Sequence, residues 1–181
     1  MKSLTAKIII ALLSTVLIAG CSNKSHKRTE RIDLVKISQL AATAMAKKAQ
    51  DELPVGATIL STSLADINQL SNTTTLGRVL GEQLSSALSD IGYDLIEIKM
   101  RDSVFIDDFK AGEFSLSRNL DNLSKSYNAD AIVTGTYAVG SSTVYISARM
   151  IDTGTKRVIS TADFQIPMDA DIRLLVSHRR Y

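Results

Sequence analysis

Between residues 32 and 52, apolar side chains return at helical spacing. Ile37, Leu40, Ala41, Ala44 and Met45 share one side, with Lys36, Lys47 and Lys48 opposite. The pattern predicts a helix over Ile32–Glu52 that stops before Pro54, since proline disfavours helix in the residue preceding it. Ala57–Leu64 then reads as a strand. Leu76, Leu80, Leu84, Ala87, Leu88 and Ile91 form the next helical stripe, with Val79 at its edge. Thr73 and Thr74 offer N-caps and Gly92 a C-terminal stop. Tyr93–Met100 alternates as a strand, and Leu116, Leu120, Leu123 and Tyr127 make a third helical stripe.

The rest of the pattern has period two. Ala131–Val139 is apolar on both faces, as a central strand is. After the turn Gly140-Ser141-Ser142, Thr143–Asp152 puts Val144, Ile146, Ala148 and Met150 on one face. Thr153-Gly154-Thr155 turns the chain again into Arg157–Ile166, and a short helix follows over Ala170–Val176. The order α-β-α-β-α-β-β-β-α predicts an α/β fold: a single two-layer α/β sandwich. Its mixed sheet would end in a C-terminal antiparallel meander, with helices packed on it. Gly77 and Gly81, four apart inside a strong stripe, are expected to let the helix pack closely rather than to hold a phosphate.

The first residues follow a different rule. Lys2 and Lys7 precede the apolar run Ile8–Gly20, whose 13 residues are too few to span a bilayer. A positive start, a short apolar stretch and small residues at its end describe a secretory signal peptide over residues 1–20. The run ends at Cys21, the chain's only cysteine. Leu17-Ile18-Ala19-Gly20-Cys21 resembles a bacterial lipobox. That resemblance implies a diacylglyceryl thioether on Cys21, cleavage before it, and a palmitate-type acyl chain on the freed amine. Two or three chains hold a protein on a membrane stably where one does not. Ser22, in place of an aspartate, implies transfer to the inner leaflet of the outer membrane. The polar stretch that follows, residues 21–31, reads as a tether. Its ten residues after the cysteine reach at most roughly 35 Å, and Lys24, Lys27, Arg28 and Arg31 are placed to meet anionic headgroups or solvent.

Removing residues 1–20 leaves 161 residues carrying 19 basic and 19 acidic side chains. The zero balance gives no reason to expect a nucleic-acid partner. With Cys21 acylated, no disulfide or cysteine metal site is available.

Chemistry is sparse. His26 and His178 fall in the tether and the tail, away from any expected pocket. Asp107 and Asp108, even with Glu113, lack the spacing of a cation-binding loop. No catalytic residue, cofactor or metal is expected, and the chain is read as a non-enzyme. One connection stands out: Arg101–Glu113 carries Val104, Phe105, Ile106 and Phe109 among charges. Phe105 and Phe109 are candidates for contact with a partner. The alternative is that Val104–Ile106 is an edge strand, with Phe109 and Phe114 covering the core.

Over roughly Asn72 to Ile172 the sequence resembles the FlgO family of flagellar outer-membrane proteins. The resemblance rests on GEFSLSR (Gly112–Arg118), ADAIVTGTYAVG (Ala129–Gly140) and VYISARMID (Val144–Asp152). The last two are shared with curli-secretion lipoproteins and the amino-terminal domains of TolB-like proteins. The resemblance implies an outer-membrane protein facing the periplasm that supports assembly or stability of the flagellum, with accessory basal-body ring proteins as partners. It brings no catalytic residues, leaves the oligomeric state open, and does not extend to the helix Ile32–Glu52. A second reading keeps the scaffold and changes the role, to an envelope or secretion lipoprotein such as a cell-wall synthase activator or a curli-secretion-like factor.

Overall fold

The computed structural model describes residues 32–70, 72–98, 122 and 124–177. The described part opens with helix α1 (Leu34–Ala49), strand β1 (Thr58–Thr62) and the two-residue strand β2 (Ala65–Asp66). Helix α2 (Thr75–Ile91) and strand β3 (Asp94–Ile98) follow. Strands β4 (Ala131–Val139), β5 (Thr143–Asp152) and β6 (Val158–Pro167) then lead into helix α3 (Ala170–Val176). Residues 122 and 124–126 are also helical. The other members of the third stripe, Leu116, Leu120 and Leu123, lie outside the described residues. Tyr127, expected on that stripe, instead sits in a turn with its side chain exposed.

The strands form one mixed sheet in the order β3-β1-β4-β5-β6, with β2 paired to β4 beyond the end of β1. β1 runs parallel to β3 and to β4, whereas β4-β5-β6 is an antiparallel meander. Helices α1, α2 and α3 pack on one face of this sheet, completing the two-layer sandwich expected from the pattern. β2 was not anticipated, because two residues carry no legible period.

Both long helices begin on a side-chain cap. Asp33 accepts from Lys36 N–H and Thr74 from Gly77 N–H. α2 ends where Gly92 turns left-handed at φ 109°, a conformation glycine adopts without a Cβ penalty. The stripe on α2 faces inward as expected, with Leu76, Leu80, Leu84, Ala87 and Leu88 buried.

α1 departs from expectation. Its buried face is Ser38, Ala41, Ala42, Met45, Ala46 and Ala49, while Leu40 is 63% exposed and Ala44 is exposed. The face has rotated by about one position, onto the smaller side chains. Small residues let α1 approach both α2 and β6 closely, and that face continues to Ala49 where the other runs into Lys47 and Lys48. Ser38, fully buried, donates its hydroxyl to Gln83 Oε1 on α2 at 3.1 Å.

The core lies between sheet and helices. Ile59, Val133, Tyr137, Ile146, Ala148, Met150 and Ile166 come from the sheet and meet the buried faces of α1 and α2. Gly77 and Gly81 set the approach of α2. A Cβ on Gly77 would collide with the Leu64 carbonyl and Thr73 Oγ1, and one on Gly81 would lie 2.8 Å from the Thr62 carbonyl. On the opposite face, Leu60, Ile132 and Ile151 pair across strands and are buried.

Strand direction fixes two ends of the sandwich. β1, β3, β4 and β6 all finish at the same end, here termed the upper end. α1 starts at that end too. Lys48, in its last turn, donates to the Thr161 carbonyl early in β6, and Leu53 just beyond accepts from the Tyr93 hydroxyl ahead of β3.

Candidate interaction surface

The three residues singled out from sequence, Cys21, Phe105 and Phe109, lie outside the described residues. The described part presents a different surface, on the sheet face opposite the helices and towards the upper end. Cross-strand register lays out its floor. One row is Ala65, Thr136, Ser147 and Asp163. The next is Ala138, Tyr145 and Gln165. Side chains alternate along each strand, so these rows share a face while Tyr137 and Ile146 point into the core.

Small side chains along the floor leave a groove of about 520 Å³, lined by Ile67, Thr136, Ala138, Tyr145, Ser147, Asp163 and Gln165 among others. Two apolar walls flank it. Tyr145 is 56% exposed and Ile67 53% exposed. On the polar side, the Ser147 hydroxyl donates to the Asp163 carboxylate, which fixes that acid across the strand pair.

The wall residue Ile67 is held rigidly although it lies in a loop. Its N–H donates to the Tyr137 carbonyl at 3.0 Å. Asp66 N–H donates to the Asn72 carbonyl, and the Asp66 side chain accepts Asn68 N–H in an Asx turn. Deeper in, Leu64 N–H donates to the Gly77 carbonyl, and Thr73 Oγ1 donates to the Leu64 carbonyl. The Tyr137 hydroxyl accepts Thr74 N–H at the start of α2, and burial pushes that phenol above its usual range. The loop, the floor strand and the helix start are thus one bonded unit. A surface fixed in this way loses little conformational entropy on docking.

The groove is open, floored by small side chains and walled by Ile67 and Tyr145. Among the described residues no group of three His, Cys, Asp or Glu side chains is placed to hold a metal ion. No described helix is long and apolar enough to cross a membrane. Tyr145 was legible as the one aromatic on the polar face of an alternating strand. Ile67 had no such signal, since its role depends on β2.

A two-layer sandwich with a parallel β1-β3 pair and an antiparallel meander defines the class of fold. The chain belongs to the FlgO family, whose model, described as "FlgO protein", matches residues 37–171. The match reaches further towards the start of the chain than the resemblance drawn from residues 72–172, and brings α1 into the family domain. Among solved structures, the C-terminal domain of LpoB from Salmonella enterica is similar, with 14% identity and a TM-score of 0.52 over 76% of this chain and 100% of that one. The C-terminal domain of LpoB from Escherichia coli aligns with 13% identity and a TM-score of 0.53, over 75% of this chain and 98% of that one. At these identities the likeness is one of fold. No curated protein matches the chain in sequence.

Proposed function

We propose that this protein is an outer-membrane lipoprotein, anchored through Cys21, whose periplasm-facing domain supports assembly or stability of the bacterial flagellum. Residues 1–20 direct export, residues 21–31 tether the domain, and residues 32–181 carry the function. Membership of the FlgO family over residues 37–171 is the observation that carries this reading. The role is docking rather than catalysis, with an accessory basal-body ring protein as the partner. The rigid groove between Ile67 and Tyr145 is its contact surface, because it is open, walled by apolar groups and pre-formed.

The test is swimming in soft agar by a clean deletion strain, complemented with wild type and with Cys21→Ser. Loss of swimming that only the lipidated form restores supports the anchored flagellar role. Full swimming by the deletion strain overturns it, and transfers the weight to an envelope regulator on the same scaffold.

A further inference from the structure

Asp163 is the one ionic side chain among the described residues that line the groove. The Ser147 hydroxyl donates to its Oδ1 at 2.5 Å, and its Oδ2 accepts no bond from any described residue. Arg149, two positions along the same face of β5, has an interaction of its own and forms no ion pair with Asp163. The acid is therefore aimed but not neutralised, in a groove that a docked partner covers. Covering an unpaired carboxylate is strongly unfavourable. A segment that fills this groove stably brings a cation to Asp163.

The surroundings suit arginine in particular. Tyr145 pairs with Gln165 and Ser147 with Asp163, so Tyr145 and Asp163 are diagonal neighbours on one face, about 7–8 Å apart at the backbone. That spacing lets a planar guanidinium lie on the phenol ring and still reach the carboxylate. Its remaining N–H groups find acceptors in the Thr136 hydroxyl and the Gln165 side-chain carbonyl, which line the same groove and have no partner among the described residues. The methylene stem of such a side chain packs over the Ala138 floor.

We infer that the groove is a socket for a basic side chain of a protein partner, an arginine by its geometry, held between Asp163 and the ring of Tyr145 while apolar neighbours of that residue meet Ile67. The inference rests on the reading of this groove as the contact surface, and adds the chemistry of what enters it. It also excludes acidic segments, since like charge at Asp163 turns them away.

The test places the photo-cross-linker p-benzoylphenylalanine at Ile67 of the full-length protein in cells, and sequences the cross-linked partner segment by mass spectrometry. The expected segment carries a basic residue with apolar neighbours. Asp163→Asn is expected to lower the yield of that cross-link at least about tenfold, through loss of a bond to a charged group, while Asp163→Glu keeps most of it. Asp163 is exposed, so neither change is expected to unfold the domain, and equal protein levels on immunoblots check this. A segment with neither arginine nor lysine overturns the socket. So does a yield that Asp163→Asn leaves unchanged, and so does the absence of any cross-link from protein present at normal level. A cross-link to a second copy of the chain also overturns it, and assigns the groove to self-association. Swimming is scored separately. An Asp163-dependent cross-link to a basic segment, in a species whose deletion strain swims normally, keeps the socket and removes the flagellar role.

Discussion

The phenol oxygen of Tyr137 accepts the backbone N–H of Thr74 at 3.0 Å, across 63 residues of sequence. This one bond ties the central strand to the first turn of α2, at a residue that is itself the helix N-cap. Thr74 is 3% exposed, so its N–H has no water to turn to. Tyr137→Phe keeps the ring and orphans the donor. A cost of about 1–3 kcal/mol is expected, read as a lower denaturation midpoint with an unchanged m-value. Because burial raises the phenol's pKa, the same residue makes stability fall at high pH. The unfolded chain ionises near pH 10 while the folded one holds its proton, so the stabilisation is complete below pH 10 and is lost as pH rises beyond it. Tyr137→Phe removes that part of the alkaline decline.

Gly77 and Gly81 set the second test. Each sits where α2 touches backbone at or just after the end of β1, the Leu64 carbonyl for Gly77 and the Thr62 carbonyl for Gly81. Gly77→Ala meets two oxygen atoms at once and is expected to cost about 3 kcal/mol, the upper part of the range for overpacking. Gly81→Ala, with contacts near 2.8 and 2.9 Å, is expected to cost less. Propensity alone predicts the reverse sign for both, since alanine is the better helix former. Thermal denaturation of the two variants decides between packing and propensity.

The β5-β6 turn gives a test at acid pH. Asp152 accepts both the N–H and the hydroxyl of Thr155, and these bonds, the backbone one foremost, hold its carboxyl below the usual aspartate range. Its stabilising effect is complete above about pH 4, the unfolded value, and is lost as pH falls through the lower folded value. Thr155→Val removes the hydroxyl bond and is expected to shrink the acid-dependent part of stability, leaving neutral pH changed by about 1 kcal/mol or less. Urea titrations at pH 7 and pH 3 measure the difference.

Ile67 and Tyr145 separate function from folding. Both are exposed, so Ile67→Ser and Tyr145→Ser are expected to shift stability by no more than about 0.5 kcal/mol. The pair together is expected to abolish complementation of swimming while the protein is made at normal level. Full complementation by the double variant would take the groove out of the mechanism.

Much of this architecture is legible in the sequence, and the failures have physical causes. Strand β4, apolar on both faces, declares itself central, and the alternation in β5 names the right inward residues. α2 is fixed by its stripe, its Thr74 cap and Gly92. α1 buries a face one position away from its apolar stripe because alanine satisfies two overlapping helical stripes. Only the packing distance to α2 and β6 selects the smaller one and turns Leu40 outward. The groove is harder to foresee. Tyr145 shows as an outward aromatic, but its partner Ile67 reaches the site through β2 and the hydrogen bond to Tyr137, neither of which leaves a periodic trace.

Electron cryotomography of the flagellar base is the most direct measurement. Subtomogram averages of wild type, a deletion strain and the Cys21→Ser complement are compared at the outer membrane around the rod. The flagellar reading predicts density on the periplasmic face of the outer membrane in wild type, missing from both the deletion and the Cys21→Ser strains. Averages that superimpose in all three strains would contradict it.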